Sequence, residues 1–202
     1  MSTTKESLEK LEEKKQNALK IKQFKMEQKI FIMTSRFNTQ TREENAGFRK
    51  KNWGDGCIYC SPEQVSQKIP HQAKLLVLEM DNDKNQIFAI GQCANRPLTN
   101  KYGVYENKNY NRFNYVGRHR ISRTDFNPME EAVFKALDQL CFFGNDHMKR
   151  GHGLKAFPVK LIVNCNPIFN IPQFLDEMFS RRFLSSITQN YIKNSETKGR
   201  RI

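Results

Sequence analysis

Two short apolar runs separated by a polar loop restrict this chain more than any other feature of its sequence. Leu75–Leu78 with Met80 form the first run, and Ile87–Ile90 form the second. The loop between them, residues 81–85, contains Asn and Asp, whose side chains favour tight turns and left-handed backbone. Runs this short, bounded by turn-forming residues, fit buried strands better than helices. The sequence therefore predicts a central β-hairpin within residues 69–93, on which the other apolar segments pack.

The rest of the chain predicts an α+β fold around this hairpin. Strands are expected at residues 30–34, 57–60, 113–122 and 159–163, and helices at 5–28, 128–143 and 172–184. Asn127, Pro128 and Glu130 form a capping signal for the second helix. Residues 35–51 are expected to form a short helix or ordered loop, and residues 62–68 a helical turn. Because no regular βαβ repeat occurs, we predict a small, strongly bent mixed sheet or open barrel with helices packed outside.

Charge and hydropathy divide the chain into three parts. Residues 1–28 form a charged helical arm, in which Leu8, Leu11, Leu19 and Met26 are too sparse for a coiled-coil seam. Residues 29–190 contain the α+β domain, and residues 191–202 form a basic tail that we expect to be disordered. The arm has two interpretations: a solvated helix, or a segment that binds a protein partner or nucleic acid.

The net charge indicates a polyanionic partner. The chain has a formal net charge of +13 and a pI near 9.6. Such a surplus of positive charge repels itself unless a polyanion neutralises it. Nucleic acid is the expected partner, with RNA favoured over DNA, and the alternative is a basic protein whose charge serves only solubility.

Several features predict an intracellular protein. No apolar run approaches the roughly 20 residues that a membrane-spanning helix needs, so no membrane partner is expected. Residues 1–6 lack the apolar stretch of a secretory signal. The five cysteines are an odd number and are widely spaced, which favours reduced thiols over a disulfide framework. We therefore expect the protein in the cytoplasm or nucleus.

Aromatic and basic residues that suit nucleic-acid binding fall in three places. They are a glycine-containing bend with two aromatic rings, a strongly basic stretch on or just after one predicted strand, and a basic loop that contains glycines. Each residue also has a structural interpretation, because Trp and Tyr pack in cores and arginines can form a solvated strand face. The net charge favours binding. The candidates are Trp53, Tyr59, Arg118, His119, Arg120, Arg123, Lys149, Arg150 and His152.

Signals for a metal or for catalysis are weak. Cys57 and Cys60 have the CxxC spacing of a zinc knuckle, but a complete site needs a second pair of ligands, and only His147 with His152 approaches one. The sequence contains neither a Walker loop nor an HExxH motif. We therefore predict a protein that is not an enzyme, with no metal, no cofactor and no catalytic residues.

Four segments resemble the PUA-like group of folds, which includes EVE, ASCH and YTH domains. They are residues 31–36, Trp-Gly-Asp-Gly-Cys-Ile-Tyr at 53–59, Ile-Pro-His-Gln-Ala-Lys-Leu-Leu-Val-Leu-Glu at 69–79, and Ile-Phe-Ala-Ile-Gly-Gln at 87–92. The resemblance covers roughly residues 29–165. It implies a small bent barrel that binds RNA or modified nucleobases in an aromatic-lined pocket, for which Trp53 and Tyr59 are the candidates. Because the chain has one tryptophan, it does not reproduce the YTH tryptophan cage, and general nucleic-acid binding is the prediction that we retain.

A second resemblance is to uncharacterised proteins of large nucleocytoplasmic DNA viruses. It is carried by residues 145–158, Asn-Asp-His-Met-Lys-Arg-Gly-His-Gly-Leu-Lys-Ala-Phe-Pro, and implies a viral factory or virion as the location. Three functional hypotheses result. The first is a non-enzymatic protein that binds RNA, or single-stranded or modified nucleic acid, through a basic face and an aromatic pocket. The second is a structural or scaffold protein of a virion or assembly, and the third is a nucleic-acid-processing enzyme.

Overall fold

The computed structural model describes residues 2–98 and 102–183 and has an α+β fold. Its strands are β1 (Ile30–Phe37), β2 (Cys57–Ser61), β3 (Lys74–Asp81), β4 (Gln86–Ala94), β5 (Phe113–Gly117), β6 (His119–Ser122) and β7 (Lys155–Ala156). Its helices are α1 (Ser2–Glu27), α2 (Thr39–Asn52), α3 (Pro128–Phe142), α4 (Val159–Cys165) and α5, which covers residues 171–183. Short 3-10 turns occupy Lys108–Arg112 and Arg123–Asp125.

Five of these strands form one mixed sheet in the order β6-β4-β3-β1-β7, and β2 pairs with β5 in a separate antiparallel ribbon. β1 and β3 run parallel, from Ile30 opposite Lys74 to Phe37 opposite Asp81, and the other neighbours in the sheet are antiparallel. The predicted α+β class and mixed sheet are confirmed, and the sheet does not close on itself. Because β1 and β3 point the same way, both strands end at one edge of the sheet.

The predicted hairpin is confirmed, and its first strand lies at the centre of the sheet. The polar residues after β3 form the turn, as their composition predicts. Asp81 Oδ1 accepts hydrogen bonds from the backbone amides of Asp83 and Lys84, both at 3.1 Å. Asn85 adopts a left-handed φ of +52°, which Asn tolerates better than most residues.

The central strand is apolar on both faces because it lies between two hydrophobic layers. Leu76 and Leu78 face the layer covered by α3, α4 and α5. Leu75 and Val77 face the layer formed by α2 and the β2–β5 ribbon. α3 begins at the predicted capping box, and residues 171–183 are helical close to the predicted range of 172–184.

The predictions for residues 159–163 and 62–68 are wrong, whereas the strand predicted at 113–122 is confirmed apart from a break at Arg118. Because of this break, β5 joins the ribbon while β6 joins the edge of the larger sheet. Residues 159–163 belong to α4, because a short apolar run is compatible with either helix or strand and its packing decides between them. Residues 62–68 form bends and turns without a helix.

The predicted arm is a helix that contacts the domain near its carboxyl end. Phe24 of α1 packs against the layer formed by α3, α4 and α5, whereas Leu11, Leu19 and Met26 are exposed. Within the two described ranges, no helix combines the length and the apolar character that crossing a membrane requires. The tail predicted at residues 191–202 lies outside the described residues.

Candidate nucleic-acid interface

Two clefts lie near opposite ends of the β2–β5 ribbon. The amide cleft, of about 170 Å³, is lined by Ser35, Arg36, Phe37, Asn38, Thr41, Cys60, Asn82, Tyr105, Tyr110, Gly151, His152 and Gly153. The tryptophan cleft, of about 550 Å³, is lined by Trp53, Gln72, Lys74, Gln92, Cys93, Ala94, Val116, Gly117, Arg118 and His119. The amide cleft adjoins the edge where β1 and β3 end, and the tryptophan cleft adjoins the edge where β3 begins and β4 ends.

Arg36 holds the loop that forms one wall of the amide cleft. Its Nε donates to the Met148 carbonyl at 2.6 Å, and its Nη1 donates to the Gly153 carbonyl at 3.4 Å. Its Nη2 donates to the Thr34 hydroxyl at 3.0 Å, so all three acceptors are neutral. Burial lowers the pKa of Arg36, but arginine stays protonated at neutral pH. The cleft therefore contains a partly buried positive charge that is not paired with any described carboxylate.

The amino end of α2 adds partial positive charge to the same cleft. Asn38 caps this helix: the Thr41 amide donates to Asn38 Oδ1 at 2.8 Å, and the Asn38 amide donates to Thr41 Oγ1 at 3.1 Å. Peptide dipoles aligned along a helix favour an anion at its amino end. Asp83 already accepts from the Thr39 amide and hydroxyl at this end, at 2.7 and 2.8 Å, so Arg36 is the charge that an anion in the cleft would meet.

Three aromatic rings form a second wall of the amide cleft. The ring centre of Tyr110 lies 6.1 Å from that of Tyr105 and 6.4 Å from that of His152, edge to face in both pairs. Asn111 fixes this segment, because its Oδ1 accepts from the amides of Val104 and Tyr105 and its Nδ2 donates to the Tyr105 carbonyl. The Asn- and Tyr-rich stretch thus supplies two of the three rings and the side chain that orders their segment.

The Asn82 side chain has an acceptor that no described residue satisfies. Its Nδ2 donates to the Lys149 carbonyl at 3.1 Å, and its backbone amide donates to the Phe37 carbonyl at 2.9 Å. Its Oδ1 is buried and accepts no hydrogen bond from any residue in 2–98 or 102–183. Because buried acceptors are nearly always paired in proteins, this atom, on a residue that lines the amide cleft, needs a donor from outside the described residues.

The loop that carries His152 depends on its two flanking glycines. Gly151 and Gly153 adopt φ values of +95° and +66°, which are strained for residues that have a side chain. A Cβ at Gly153 would also collide with the side chain of Ser61 and would lie 3.0 Å from Pro62 Cδ. The second glycine therefore lets the loop approach β2 closely enough to close the cleft.

The tryptophan cleft brings together three of the residues predicted from the sequence. Trp53 is partly exposed at the end of α2, Arg118 is exposed at the junction of β5 and β6, and His119 begins β6. The ring centre of His119 lies 3.8 Å from that of Phe183 in α5. Burial, with a smaller effect from Arg118, lowers the pKa of His119, so its imidazole is neutral at pH 7.

Tyr59 and Arg120 lie together below the surface. Tyr59 is 1% exposed, and its hydroxyl donates to Glu79 Oε1 at 2.9 Å. Arg120 forms a bidentate ion pair with the same carboxylate, with Nη2 to Oε2 at 2.8 Å. Tyr59 therefore offers no ring face to a ligand here, and the charge of Arg120 is already paired.

The remaining predicted residues differ in their availability. Arg123 is paired at 2.8 Å with both Glu131 and Asp138. Lys149 is half-buried, and its Nζ donates to the Asn85 side chain at 2.7 Å. Arg150 and His152 are exposed, and His152 lines the amide cleft.

The two cysteines of the CxxC motif are buried strand residues. The Cys57 thiol donates weakly to the carbonyls of Gln92 and His119, both at 3.6 Å. Burial raises the pKa of Cys57 to about 12 and also raises the pKa of Cys60. In the part of the chain that the structure describes, no three His, Cys, Asp or Glu side chains are grouped to hold a metal ion.

Sequence reasoning did not identify Arg36, Asn82 and Tyr110 as site residues. Tyr110 lies in the long Asn- and Tyr-rich stretch, and a loop of that length without an apolar period is often functional. Arg36 and Asn82 each follow a predicted strand segment, but no local pattern separates them from ordinary turn residues. None of the known protein-family models, curated proteins or solved structures compared with this chain gives a significant match.

Proposed function

We propose that the protein binds single-stranded nucleic acid, with RNA favoured over DNA, and that one unpaired base enters the amide cleft without chemical change. The observation that carries this proposal is the buried Oδ1 of Asn82, which accepts no hydrogen bond from any described residue. An unpaired buried acceptor costs about 1–3 kcal/mol, and a donor on a ligand would recover that free energy. Nucleobases carry such N–H donors on their edges.

The other walls of the cleft suit the remaining parts of a nucleotide. Tyr110 and His152 offer aromatic surface against which a base can pack. Arg36 favours an anion, which a phosphate supplies. Because bases in a duplex are stacked and paired, a cleft of this size favours a single strand or an extruded base.

Cations outside the cleft suit the phosphates of neighbouring nucleotides. Arg112 is exposed and lines a shallow cleft that shares Tyr110 and His152 with the amide cleft, and Arg150 is exposed in the same loop as His152. A chain with a net charge of +13 gains affinity by releasing counterions from a polyanion. The PUA-like resemblance implies the same class of ligand.

The test is an anisotropy titration with a labelled single-stranded RNA of about ten nucleotides, within the range of site sizes on single strands. We expect the affinity to fall steeply with salt, with the logarithm of the binding constant decreasing linearly with the logarithm of the salt concentration. Asn82→Ala and Tyr110→Ala should each weaken binding about tenfold, since an unpaired buried acceptor and one stacked base are each worth about 1–3 kcal/mol.

Two further variants complete the test: His152→Ala alters the site, and Lys135→Ala is the control. His152→Ala alters an exposed ring of the same wall, so it should weaken binding with an unchanged thermal transition. Lys135→Ala removes an exposed cation on α3, on the opposite side of the larger sheet, and should change affinity by less than about twofold because it is remote. Affinity that does not vary with salt, or equal affinity in all four variants, would reject the proposal.

A structural or scaffold role is the second candidate, and α1 provides the observation that favours it. Leu11, Leu19 and Met26 recur at about two helical turns and are 50%, 59% and 79% exposed. Exposed apolar residues along one side of a helix suit contact with another protein. If neither single-stranded RNA nor single-stranded DNA binds at low salt, this role becomes the better account of the chain.

A further inference from the structure

The end of α2 holds the ring of Trp53 in a defined position. The amides of Trp53 and Gly54 both donate to the Arg49 carbonyl, at 2.7 and 2.8 Å, and they end the helix. Gly54 adopts a φ of +60°, a conformation that glycine allows after a helix. The position of the indole is therefore set by the helix terminus and does not depend on a flexible loop.

Neighbouring residues then fix the plane of the ring. Phe48 stacks beside Trp53 at 6.2 Å between ring centres, and Tyr102 meets it edge to face at 5.0 Å. A Cβ at Gly56 would lie 2.8 Å from Trp53 Cδ1 and 2.7 Å from the Gly117 carbonyl oxygen. The glycine thus allows the indole to lie against β5, and an ordered, partly exposed aromatic surface loses little entropy on stacking with a ligand.

Polar groups with free hydrogen-bonding capacity surround this ring. The side-chain amides of Gln72 and Gln92 line the cleft and form no hydrogen bond with another described residue. Gln72 has a left-handed φ of +63°, and its backbone amide donates to the Asn95 carbonyl at 3.0 Å. Non-glycine residues held in such a conformation are concentrated at binding sites. Each glutamine amide can both donate to and accept from a base edge.

Among the described residues that line the cleft, one cation is available to a ligand. Arg118 is exposed and forms no ion pair with a described residue, whereas Lys74 is paired with Asp176 at 2.7 Å. Recognition of a nucleotide needs contacts to the ring face, the ring edge and the phosphate of the ligand. The aromatic ring, the amide side chains and Arg118 lie side by side in this cleft and suit these three contacts.

We propose that the tryptophan cleft is a second nucleotide site, in which the base stacks on Trp53, its edge meets Gln72 or Gln92, and Arg118 binds the phosphate. This inference rests on the proposed function, because it assigns both clefts to one single strand. The ribbon separates them: β2 spans five residues, or roughly 13 Å at the usual rise of a strand. The nucleic acid must therefore be several nucleotides long to occupy both clefts.

The single tryptophan makes this site separately observable, because its emission reports on the tryptophan cleft alone. The probes are adenosine 5′-monophosphate and a labelled oligoadenylate of about ten nucleotides, a length within the range of known site sizes. We expect both to quench Trp53 emission, and Arg118→Ala to raise the half-saturating mononucleotide concentration about tenfold. Lys135→Ala, the matched exposed-cation control, should leave that concentration unchanged. Trp53→Ala should weaken oligoadenylate binding, measured by anisotropy, about tenfold.

The outcomes separate this inference from the proposed function. If oligoadenylate binds but leaves Trp53 emission unchanged, and Arg118→Ala binds it like the unmodified chain, the second site is overturned and the amide cleft stands. If Trp53 emission is quenched while Asn82→Ala and Tyr110→Ala bind normally, the second site stands and the amide cleft fails. If Trp53→Ala also lowers the unfolding temperature, Arg118→Ala decides the result, because its side chain is exposed.

Discussion

At the scale of the residue, the buried carboxylate of Glu79 shows how a charged group is accommodated in the core. Its two hydrogen-bonding neighbours are Tyr59 and Arg120. Glu79 is 2% exposed and receives hydrogen bonds from both neighbours. Burial, followed by the nearby Cys57 and Glu79, raises the pKa of Tyr59, so its hydroxyl remains a donor. Gly91 makes room for this ring, since a Cβ there would collide with the Tyr59 hydroxyl. Removal of one partner would leave the others buried with unsatisfied polar atoms.

The variant Tyr59→Phe therefore distinguishes a core role from a binding role. We expect it to lower the free energy of unfolding by about 2 kcal/mol, the usual value of a hydrogen bond to a charged group. Oligonucleotide affinity should stay within about twofold, because the ring does not reach either cleft surface. Chemical denaturation and anisotropy measure the two effects. Weaker binding with unchanged stability would restore Tyr59 as a stacking residue.

At the scale of the element, the loop before β7 shows how backbone conformation shapes a site. Arg36 ties this loop to β1, and Gly153 lets it pass close to Ser61 in β2. Gly144, which follows α3, has a comparable φ of +82° but no heavy atom within 4 Å of its ideal Cβ position. Both glycines therefore need a left-handed backbone, but only Gly153 also lies so close to a neighbouring side chain that a Cβ would collide with it.

This pair allows a matched test of the loop. Gly144→Ala should cost about 1–2 kcal/mol of stability through the left-handed backbone and leave RNA affinity unchanged. Gly153→Ala should cost more stability and also weaken RNA binding, because the loop must move away from β2 and open the amide cleft. Thermal unfolding and anisotropy measure both variants. Equal RNA affinity in the two variants would mean that the loop does not form part of the site.

At the scale of the whole molecule, ion pairs determine how the parts of a highly basic chain stay together. Glu130 in α3 is 1% exposed and pairs with Arg181 and Arg182 of α5. Burial alone would raise the pKa of Glu130, but hydrogen bonds from Arg182, Arg181 and the Asn127 amide lower it below its usual value. This carboxylate therefore stabilises the fold above its unfolded pKa, and the contribution is lost as pH falls through the lower folded pKa.

Glu130→Gln tests this linkage, because glutamine can keep the capping box through its one side-chain oxygen while it removes the negative charge and one of the two oxygens that accept from the arginines. At pH 7 we expect a loss of about 2 kcal/mol in the free energy of unfolding, the order of a charged hydrogen bond. The difference from the unmodified chain should shrink as pH falls below about 4, because Glu130 is protonated first in the unfolded chain and then, at its lower pKa, in the folded one. Thermal unfolding across pH measures it, with exposed Glu177→Gln as the control. A difference that stays constant with pH would reject this assignment.

The sequence by itself determined the features that arise between residues close in the chain. The β3–β4 hairpin, the turn residues Asp81 to Asn85 and the Asn127 cap of α3 were predicted because strand period, turn preference and capping act over a few residues. The net charge of +13 needed only composition.

Only the tertiary structure decided which residues remain available to a ligand. Arg118, Arg120 and Arg123 look alike in sequence. In the structure Arg120 pairs with Glu79 and Arg123 pairs with Asp138, whereas Arg118 stays exposed. The amide cleft likewise depends on contacts between distant residues, such as the hydrogen bond from Arg36 to the carbonyl of Gly153, 117 residues away in the chain. Pairing and burial depend on partners brought together by folding, and no local pattern encodes the position of such partners.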